Sequence, residues 1–228
     1  MKYNAVVPGR FLVRPNRFIA HVEIEGKEET VHVKNTGRCK ELLVPGAIVY
    51  LQDWGENCIG RKTRFDLIAV EKGNLLVNMD SQAPNKVFAE WAAQGGFVIG
   101  LTYLKAESKW GNSRFDFYWE AGERRGFVEV KGVTLEHDGL VRFPDAPTER
   151  GVKHLEELIR AKDEGYETAV CFVIQMEGMR LFSPNDETHP QFGAALRKAA
   201  AAGVRVIAVE CAVAPDTLCI TKDIPVQL

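Results

Sequence analysis

The sequence predicts an α/β chain, α+β overall, with a small N-terminal β-barrel over residues 1–82 and a mixed-sheet α/β domain over residues 83–228. Three observations predict it. Short runs of alternating polarity, punctuated by Gly, Pro and Asn, fill the first part of the chain. The periodicity then becomes helical behind the turn cluster Ser81-Gln82-Ala83-Pro84-Asn85. Near the end, two continuous apolar runs, TAVCFVIQM and VRVIAVECAV, flank a helical segment, as expected for neighbouring strands buried on both faces.

In the first part, FLVRPNRFIAHVEIEG reads as one strand ending in a turn at Glu25-Gly26-Lys27, and ETVHVKN as a second ending at Asn35-Thr36-Gly37. AIVYLQDW follows the turn-forming Pro45-Gly46, and RFDLIAVEKGNLLVNM reads as a hairpin with Gly73-Asn74 at its tip. This strand count fits a five-stranded barrel of the oligonucleotide-binding (OB) type. Asn85 is the expected N-cap of a helix, KVFAEWAAQ, stopped by Gly95-Gly96. Three strands come next: TYLKAES, RFDFYWE and GFVEVKGVTL, with Gly111-Asn112 and AGERRG as connectors. A helix from about Thr148 through RGVKHLEELIRAKDEG leads into TAVCFVIQM. The helix PQFGAALRKAAAAG and the strand VRVIAVECAV complete a strand–helix–strand step, so this pair is expected to be parallel with a right-handed crossover.

Composition bounds the function classes. At 46% hydrophobic and 26% charged residues, the 228-residue chain is ordinary for a globular protein and can bury a core without staples. No run approaches the length of a membrane span, and MKYNAVVPGRFLVRPNRF lacks the apolar core of a secretory leader, so a cytoplasmic location and no membrane partner are expected. Cys39, Cys58, Cys171, Cys211 and Cys219 are widely spaced, with no CxxC pair, and read as thiols without a metal or redox role. The formal charge of −2 argues against a wholly basic nucleic-acid binder. Its distribution is uneven, however. Residues 1–64 hold eleven Lys/Arg against seven Asp/Glu, a balance of +4, so the barrel is the half expected to meet a phosphate backbone.

The chemistry concentrates in residues 107–131. With the second and third strands of the α/β domain paired as a hairpin centred on Glu123-Arg124, Asp116 faces Lys131 and Tyr118 faces Glu129. Asp116, Glu129 and Lys131 then share one face of the sheet, because alternate strand residues do. The preceding turn places Glu107 opposite Asp116. Carboxylates so close repel one another unless a cation joins them, and a hard divalent ion is the natural resolution, Mg²⁺ or Mn²⁺. It would polarise a phosphoryl oxygen and acidify a bound water, with Lys131 orienting that water or stabilising charge on phosphorus. The charges also interrupt an otherwise apolar strand (Phe127, Val128, Val130, Val133), which a solvated strand face does not require.

RFDF followed by VEVKGVTL resembles the catalytic pattern of the PD-(D/E)xK nuclease superfamily, and the helix–three strands–helix–strand order resembles its core. The resemblance implies Asp116 and Glu129 as metal ligands, the Val130 carbonyl as another, Lys131 as the catalytic lysine, and Glu90 as an acidic residue on the preceding helix. Phe115 stands where the superfamily's proline is usual. Over nearly the whole chain, Asn35-Thr36-Gly37, SRFDF, VEVKGVTL, FPDAPTERGVKHLEEL and LFSP resemble the sugar fermentation stimulation protein A (SfsA) family. That resemblance implies DNA binding, an association with regulation of sugar-utilisation genes, and an OB-type domain ahead of a nuclease-like one.

The expected partner is therefore DNA, single- or double-stranded, with a homo-oligomer left open. Arg10, Arg14, Arg17, Lys34, Arg38 and Lys40 are candidate phosphate contacts on the barrel, and Phe11 and Phe18 candidate base-stacking rings, although strand aromatics are more often core. Asn35, Thr36 and Gly37 make a turn whose N–H groups can meet a phosphate. Arg150, Lys153 and His154 lie in the first turns of a helix, where positive charge opposes the dipole, and so are candidates for a phosphate beside the metal. His137 and His189 have no matching ligand set. Two functions remain: a metal-dependent nuclease, with catalytic residues Asp116, Glu129, Lys131 and Glu90 and Glu107 as an added metal ligand, and a non-catalytic DNA-binding regulator. A glycosidase built on paired carboxylates fits less well, because a lysine two residues from a strand glutamate suits metal–phosphate chemistry better.

Overall fold

The computed structural model describes all residues of the chain except Thr36, Ile59 and Asn112. Fifteen strands and three α-helices follow one another among the described residues. The barrel strands are β1 (Val6–Asn16), β2 (Ile19–Ile24), β3 (Lys27–Val33), β4 (Ile48–Asp53) and β5 (Phe65–Lys72), with β6 (Leu75–Asn78) added beside β5. Their order is β3-β2-β1-β4-β5-β6, and a parallel β3–β5 pairing at His32↔Asp66 and Val33↔Leu67 closes five of them into the expected OB-like barrel. The long first run splits into β1 and β2. Asn16 is responsible: its Oδ1 accepts from the backbone N–H of Phe18 (2.9 Å) and Ile19 (3.1 Å), which reverses the chain where propensity alone reads one strand.

The second domain opens with α1 (Ala83–Ala93), which starts two residues before Asn85. Its N-terminal cap is Gln82, with Pro near the first turn, and Asn85 is left free for another use. Then come β7 (Tyr103–Trp110), β8 (Ser113–Ala121), β9 (Arg124–Val133), β10 (Leu135–His137), β11 (Leu140–Phe143), α2 (Glu149–Asp163), β12 (Glu167–Ile174), β13 (Leu181–Pro184), α3 (Pro190–Ala201), β14 (Arg205–Ala214) and β15 (Thr217–Asp223). The main sheet has the order β15-β14-β12-β9-β8-β7, and β10, β11 and β13 form a small second sheet. The β12–β14 pair is parallel, as the apolar runs require, and β9–β12 is parallel as well. Thr148 caps α2 by accepting from Gly151 N–H at 3.1 Å.

The main sheet is packed on both faces. One cluster joins α1 (Val87, Phe88) to Phe117, Trp119, Val128 and Val130. The other joins α2 and α3 (Leu155, Leu158, Phe192) to Phe127, Val170 and Phe172, and continues into the barrel through Phe11, Leu67 and Met79. The two domains therefore share apolar core rather than merely touching. Among the described residues no helix is long and apolar enough to cross a membrane.

Candidate metal–phosphate site

The hairpin that carries the site has a tighter turn than the sequence suggests. Ala121 pairs with Arg124 and Phe117 with Val128, so only Gly122 and Glu123 lie in the loop, and Gly122 has φ +63°. The register is thus two residues from that expected, and its continuation would set Asp116 across from Glu129 instead of Lys131. A slip of two preserves the parity of the pairing, so Glu129 and Lys131 keep the face expected of them, while Asp116 lies beyond the last regular pair.

At Asp116 the strand changes phase. Phe117 packs against Phe88 on the α1 face, while Phe115 packs against Phe127 and Trp110 on the opposite face. Across the ladder, between the pairs Ala106↔Phe117 and Ser108↔Phe115, Glu107 adopts φ 51°. The regular β8–β9 ladder ends there, and the Asp116 carboxylate takes over its role. Its Oδ2 accepts from Val130 N–H at 2.8 Å, and its Oδ1 accepts from Asn85 Nδ2 at 3.0 Å. Asn85 is therefore a site residue that sequence reading misassigned to a cap.

Glu129 is buried, at 2% exposure, on the α2 face of β9. Its Oε1 accepts from Lys131 Nζ and from His154 Nδ1, and Arg150 Nε donates to His154 Nε2 at 3.3 Å, which assigns the ring proton to Nδ1. Its Oε2 is buried with no hydrogen-bond partner. His154, expected as a candidate phosphate contact beside the metal, instead meets Glu129. The readable signal was its place with Leu155, Leu158 and Ala161 on the apolar stripe of α2, which turns a histidine toward the sheet rather than to solvent.

The electrostatics divide the two carboxylates. Burial raises the Asp116 pKa, and the neighbouring Glu129 charge raises it further, against opposition from Lys131, the Val130 N–H and Asn85. For Glu129 burial is also the largest influence and acts upward, but His154 and Lys131 together outweigh it and hold the group below its ordinary value. The pair thus consists of one reluctant and one ready anion, and a cation between them would remove the conflict.

Other expected residues are placed elsewhere. Glu107 is exposed and pairs with Arg114 at 3.1 Å, because its left-handed backbone turns it out of the site. Glu90 lies on the exposed side of α1 and pairs with the Met1 amine at 2.5 Å. Neither belongs to an acidic shell, and among the described residues no group of three or more His, Cys, Asp or Glu side chains is arranged to hold a metal. What remains for a cation is Asp116, the orphaned Glu129 Oε2 and the main chain at Val130, a set of hard oxygen donors. It fits Mg²⁺ or Mn²⁺, which are commonly bound through one or two carboxylates with water and phosphate oxygens completing the shell.

On the barrel, Arg14 is engaged internally. Its guanidinium donates to the carbonyls of Gly37 (3.0 Å), Arg38 (2.9 Å), Arg17 (2.8 Å) and Asn35 (2.6 Å), so it fastens the 35–38 loop rather than meeting a phosphate. Asn35 Oδ1 accepts from Gly37 N–H at 2.7 Å, which occupies that N–H, and Thr36 lies outside the described residues. Phe11 is core, whereas Phe18 is exposed beneath the Arg17 guanidinium. Arg10, Arg17, Arg38 and Lys40 are exposed, and the last three line a groove of about 430 Å³. Lys34 is tied to the buried Asp80 at 2.7 Å. Arg150 is exposed beside the site, and Lys153 reaches Glu157 at 3.7 Å.

Comparison with known proteins places this geometry in context. A family model described as "Sugar fermentation stimulation protein RE domain" matches residues 82–217, and another described as "SfsA N-terminal OB domain" matches residues 12–79. A sugar fermentation stimulation protein homolog of Desulfitobacterium hafniense (strain Y51) is 58% identical over 218 residues, covering 96% of this chain and 94% of the relative. The homolog of Clostridium beijerinckii is 54% identical over 228 residues, covering 100% of both. The solved structure of Pyrococcus furiosus SfsA in complex with Ca²⁺ superposes with a TM-score of 0.90 at 27% identity, over 100% of this chain and 98% of that one.

Proposed function

The chain belongs to the sugar fermentation stimulation protein family, and on that footing we propose that it binds DNA and hydrolyses a phosphodiester with a divalent cation held at Asp116 and Glu129. The observation that carries the reading is the buried Glu129 Oε2, an anionic oxygen without a partner beside a second carboxylate and a lysine. Leaving such an atom unpaired is costly, and a cation is the partner that its charge calls for. The Ca²⁺ complex of the Pyrococcus furiosus relative supports a divalent ion of the same hard class.

Asp116 and Glu129 would hold the ion, with the Val130 carbonyl as the further donor that the nuclease resemblance implies. Bound Mg²⁺ or Mn²⁺ supplies Lewis-acid polarisation of the phosphoryl oxygen and a more acidic water. The remaining work falls to the chain's own groups. Lys131, on its flexible stem, orients the attacking water and stabilises charge developing on phosphorus. His154 holds Glu129 Oε1 and so aims Oε2, while Asn85 and the Val130 N–H fix the Asp116 rotamer. Arg150, linked to His154, stands at the rim of the site to receive a phosphate. The exposed barrel cations Arg17, Arg38 and Lys40 supply the sequence-independent part of the affinity.

The test is the full chain with Mg²⁺ or Mn²⁺ on single- and double-stranded DNA, beside Lys131→Ala. Cleavage is expected in the wild type, with a loss of about 100-fold or more in the variant. Absence of cleavage of any substrate, or equal cutting by the variant, refutes the hydrolytic reading. A second reading, a DNA-binding regulator that keeps the nuclease fold, is favoured by one feature: both Asp116 oxygens already accept hydrogen bonds. Calorimetric titration with Ca²⁺ separates the two. The hydrolytic reading expects one specific site that Asp116→Asn abolishes, and the regulator expects none.

A further inference from the structure

Toward the free edge of the main sheet, the face that carries Glu129 continues into an aromatic groove of about 590 Å³. Its rings follow one another closely. Tyr103 and Tyr118 have centroids 6.3 Å apart, Tyr118 and Phe127 5.4 Å, Phe127 and Tyr166 4.9 Å, and Trp110 and Phe127 6.5 Å. Phe127 is buried beneath the others, and Tyr103 is 47% exposed. Lys105 and Lys109 line the same groove, both exposed and without an ion pair among the described residues. Two guanidiniums flank it, Arg125 at 5.0 Å from the Tyr166 ring centroid and Arg160 at 6.0 Å from that of Trp110. The acidic neighbours are engaged: Glu107 with Arg114, Glu157 with Arg160 at 3.5 Å, and Glu120 accepting from the Tyr118 hydroxyl at 2.7 Å.

A regular strand would not build this groove. Tyr103 and Lys105 are odd-numbered and Trp110 is even, so strict alternation puts them on opposite faces. The left-handed residue Glu107 shifts the phase by one and brings Trp110 to the side of Tyr103 and Lys105. Backbone strain of this kind is rare in a non-glycine residue and calls for a use. The same phase change, across the ladder, directs the Asp116 carboxylate toward β9. Tyr118 lies two residues from Asp116 and Phe127 two from Glu129, so the rings lead along both strands toward the two carboxylates.

We propose that this groove docks single-stranded DNA, with bases stacked on Tyr103, Tyr118 and Trp110 and phosphates running past Lys105 and Lys109. The inference rests on the reading of the chain as a DNA-binding protein and adds the strand class and the surface. Rings set in a recess reach only bases whose faces are uncovered, and a duplex covers them. The charge balance suits a polyanion. The edge itself is unsuited to pairing with a second copy, since exposed lysines and a broken phase are features that block strand addition.

The experiment is fluorescence anisotropy with the full chain in EDTA, using labelled oligo-dT of about 20 nucleotides and a duplex of equal length. Tyr103→Ala/Lys105→Ala and, separately, Lys109→Glu at an exposed position are compared with wild type, each checked for an unchanged melting temperature. Each variant is expected to bind oligo-dT about 10-fold or more weakly, with less than about 2-fold change for duplex. Quenching of tryptophan fluorescence by oligo-dT is expected to shrink in Trp110→Leu. Equal oligo-dT binding by wild type and both variants overturns the groove while leaving the DNA-binding reading intact. Parallel losses on duplex and oligo-dT overturn the assignment to single strands. Failure of the wild type to bind either form overturns both this inference and the reading on which it rests.

Discussion

Glu129 and Asp116 lie on neighbouring strands, yet respond to pH in opposite senses. Glu129 has a folded pKa below its ordinary 4.5, so its contribution to stability is present above that value and is lost as pH falls through the lower folded one. Asp116 has a folded pKa above its ordinary 3.8, so its contribution is present below that value and is lost as pH rises through the higher folded one. A divalent cation needs both groups ionised. Ca²⁺ affinity, measured by calorimetry, is therefore expected to rise with pH above the ordinary Asp value of 3.8, as Asp116 gives up its proton, and then level off. A pH-independent affinity over that range would contradict the shared site. His154→Ala removes a donor from the buried Glu129 and is expected to cost on the order of 1–3 kcal/mol, read from urea denaturation at neutral pH.

Among the elements, β9 and the β7–β8 pair define the geometry. Gly126 leaves no room for a side chain: a Cβ there would strike the Glu167 main-chain carbonyl on β12. Because the obstacle is backbone, Gly126→Ala is expected to destabilise the chain by roughly 3 kcal/mol or more, with a corresponding fall in denaturation midpoint. Glu107 makes the opposite case. Glycine tolerates its φ of 51°, and the Arg114 pair it would lose is exposed. Glu107→Gly is expected to be neutral or stabilising by up to about 1 kcal/mol, and to leave Ca²⁺ affinity unchanged. A large loss of Ca²⁺ affinity would restore Glu107 to the metal shell from which the structure removes it.

At the scale of the whole molecule, the apolar cluster that runs from Phe172, Phe182 and Phe192 into Phe11, Leu67 and Met79 makes the barrel and the α/β domain interdependent. Polar contacts cross the same boundary: Asn78 N–H to the Gln175 carbonyl at 2.9 Å, Gln175 Nε2 to Asn78 Oδ1 at 2.9 Å, and Lys72 Nζ to Glu136 at 2.6 Å. Calorimetry is expected to show a single unfolding transition with equal calorimetric and van't Hoff enthalpies. Two resolved transitions would show that the shared core contributes little.

Much of this was legible from residues alone, for reasons that are local. The barrel and the parallel β12–β14 step followed from period, turn residues and unbroken apolar runs. Glu129 and Lys131 share a face by simple alternation, as expected, whereas Asp116 sits where β8 changes phase, so its approach to them rests on its bond to the Val130 N–H and not on parity. Other features had no local signal. Whether Glu107 pointed at Asp116 depended on a left-handed backbone that a glutamate does not advertise. Glu90 and Asn85 exchanged importance because the position of α1 over the sheet decided which of its side chains met β8. Arg14 looked like any surface cation until the carbonyls of Asn35, Gly37 and Arg38, with that of Arg17, closed around it. Sequence by itself determined the fold class, most of the elements, the family and the shared face of Glu129 and Lys131, since those follow from the order of residues along the chain. Only tertiary packing decided which neighbours complete that site, because His154, Asn85 and Arg150 reach it from helices whose rotation and approach are set by the cores they bury.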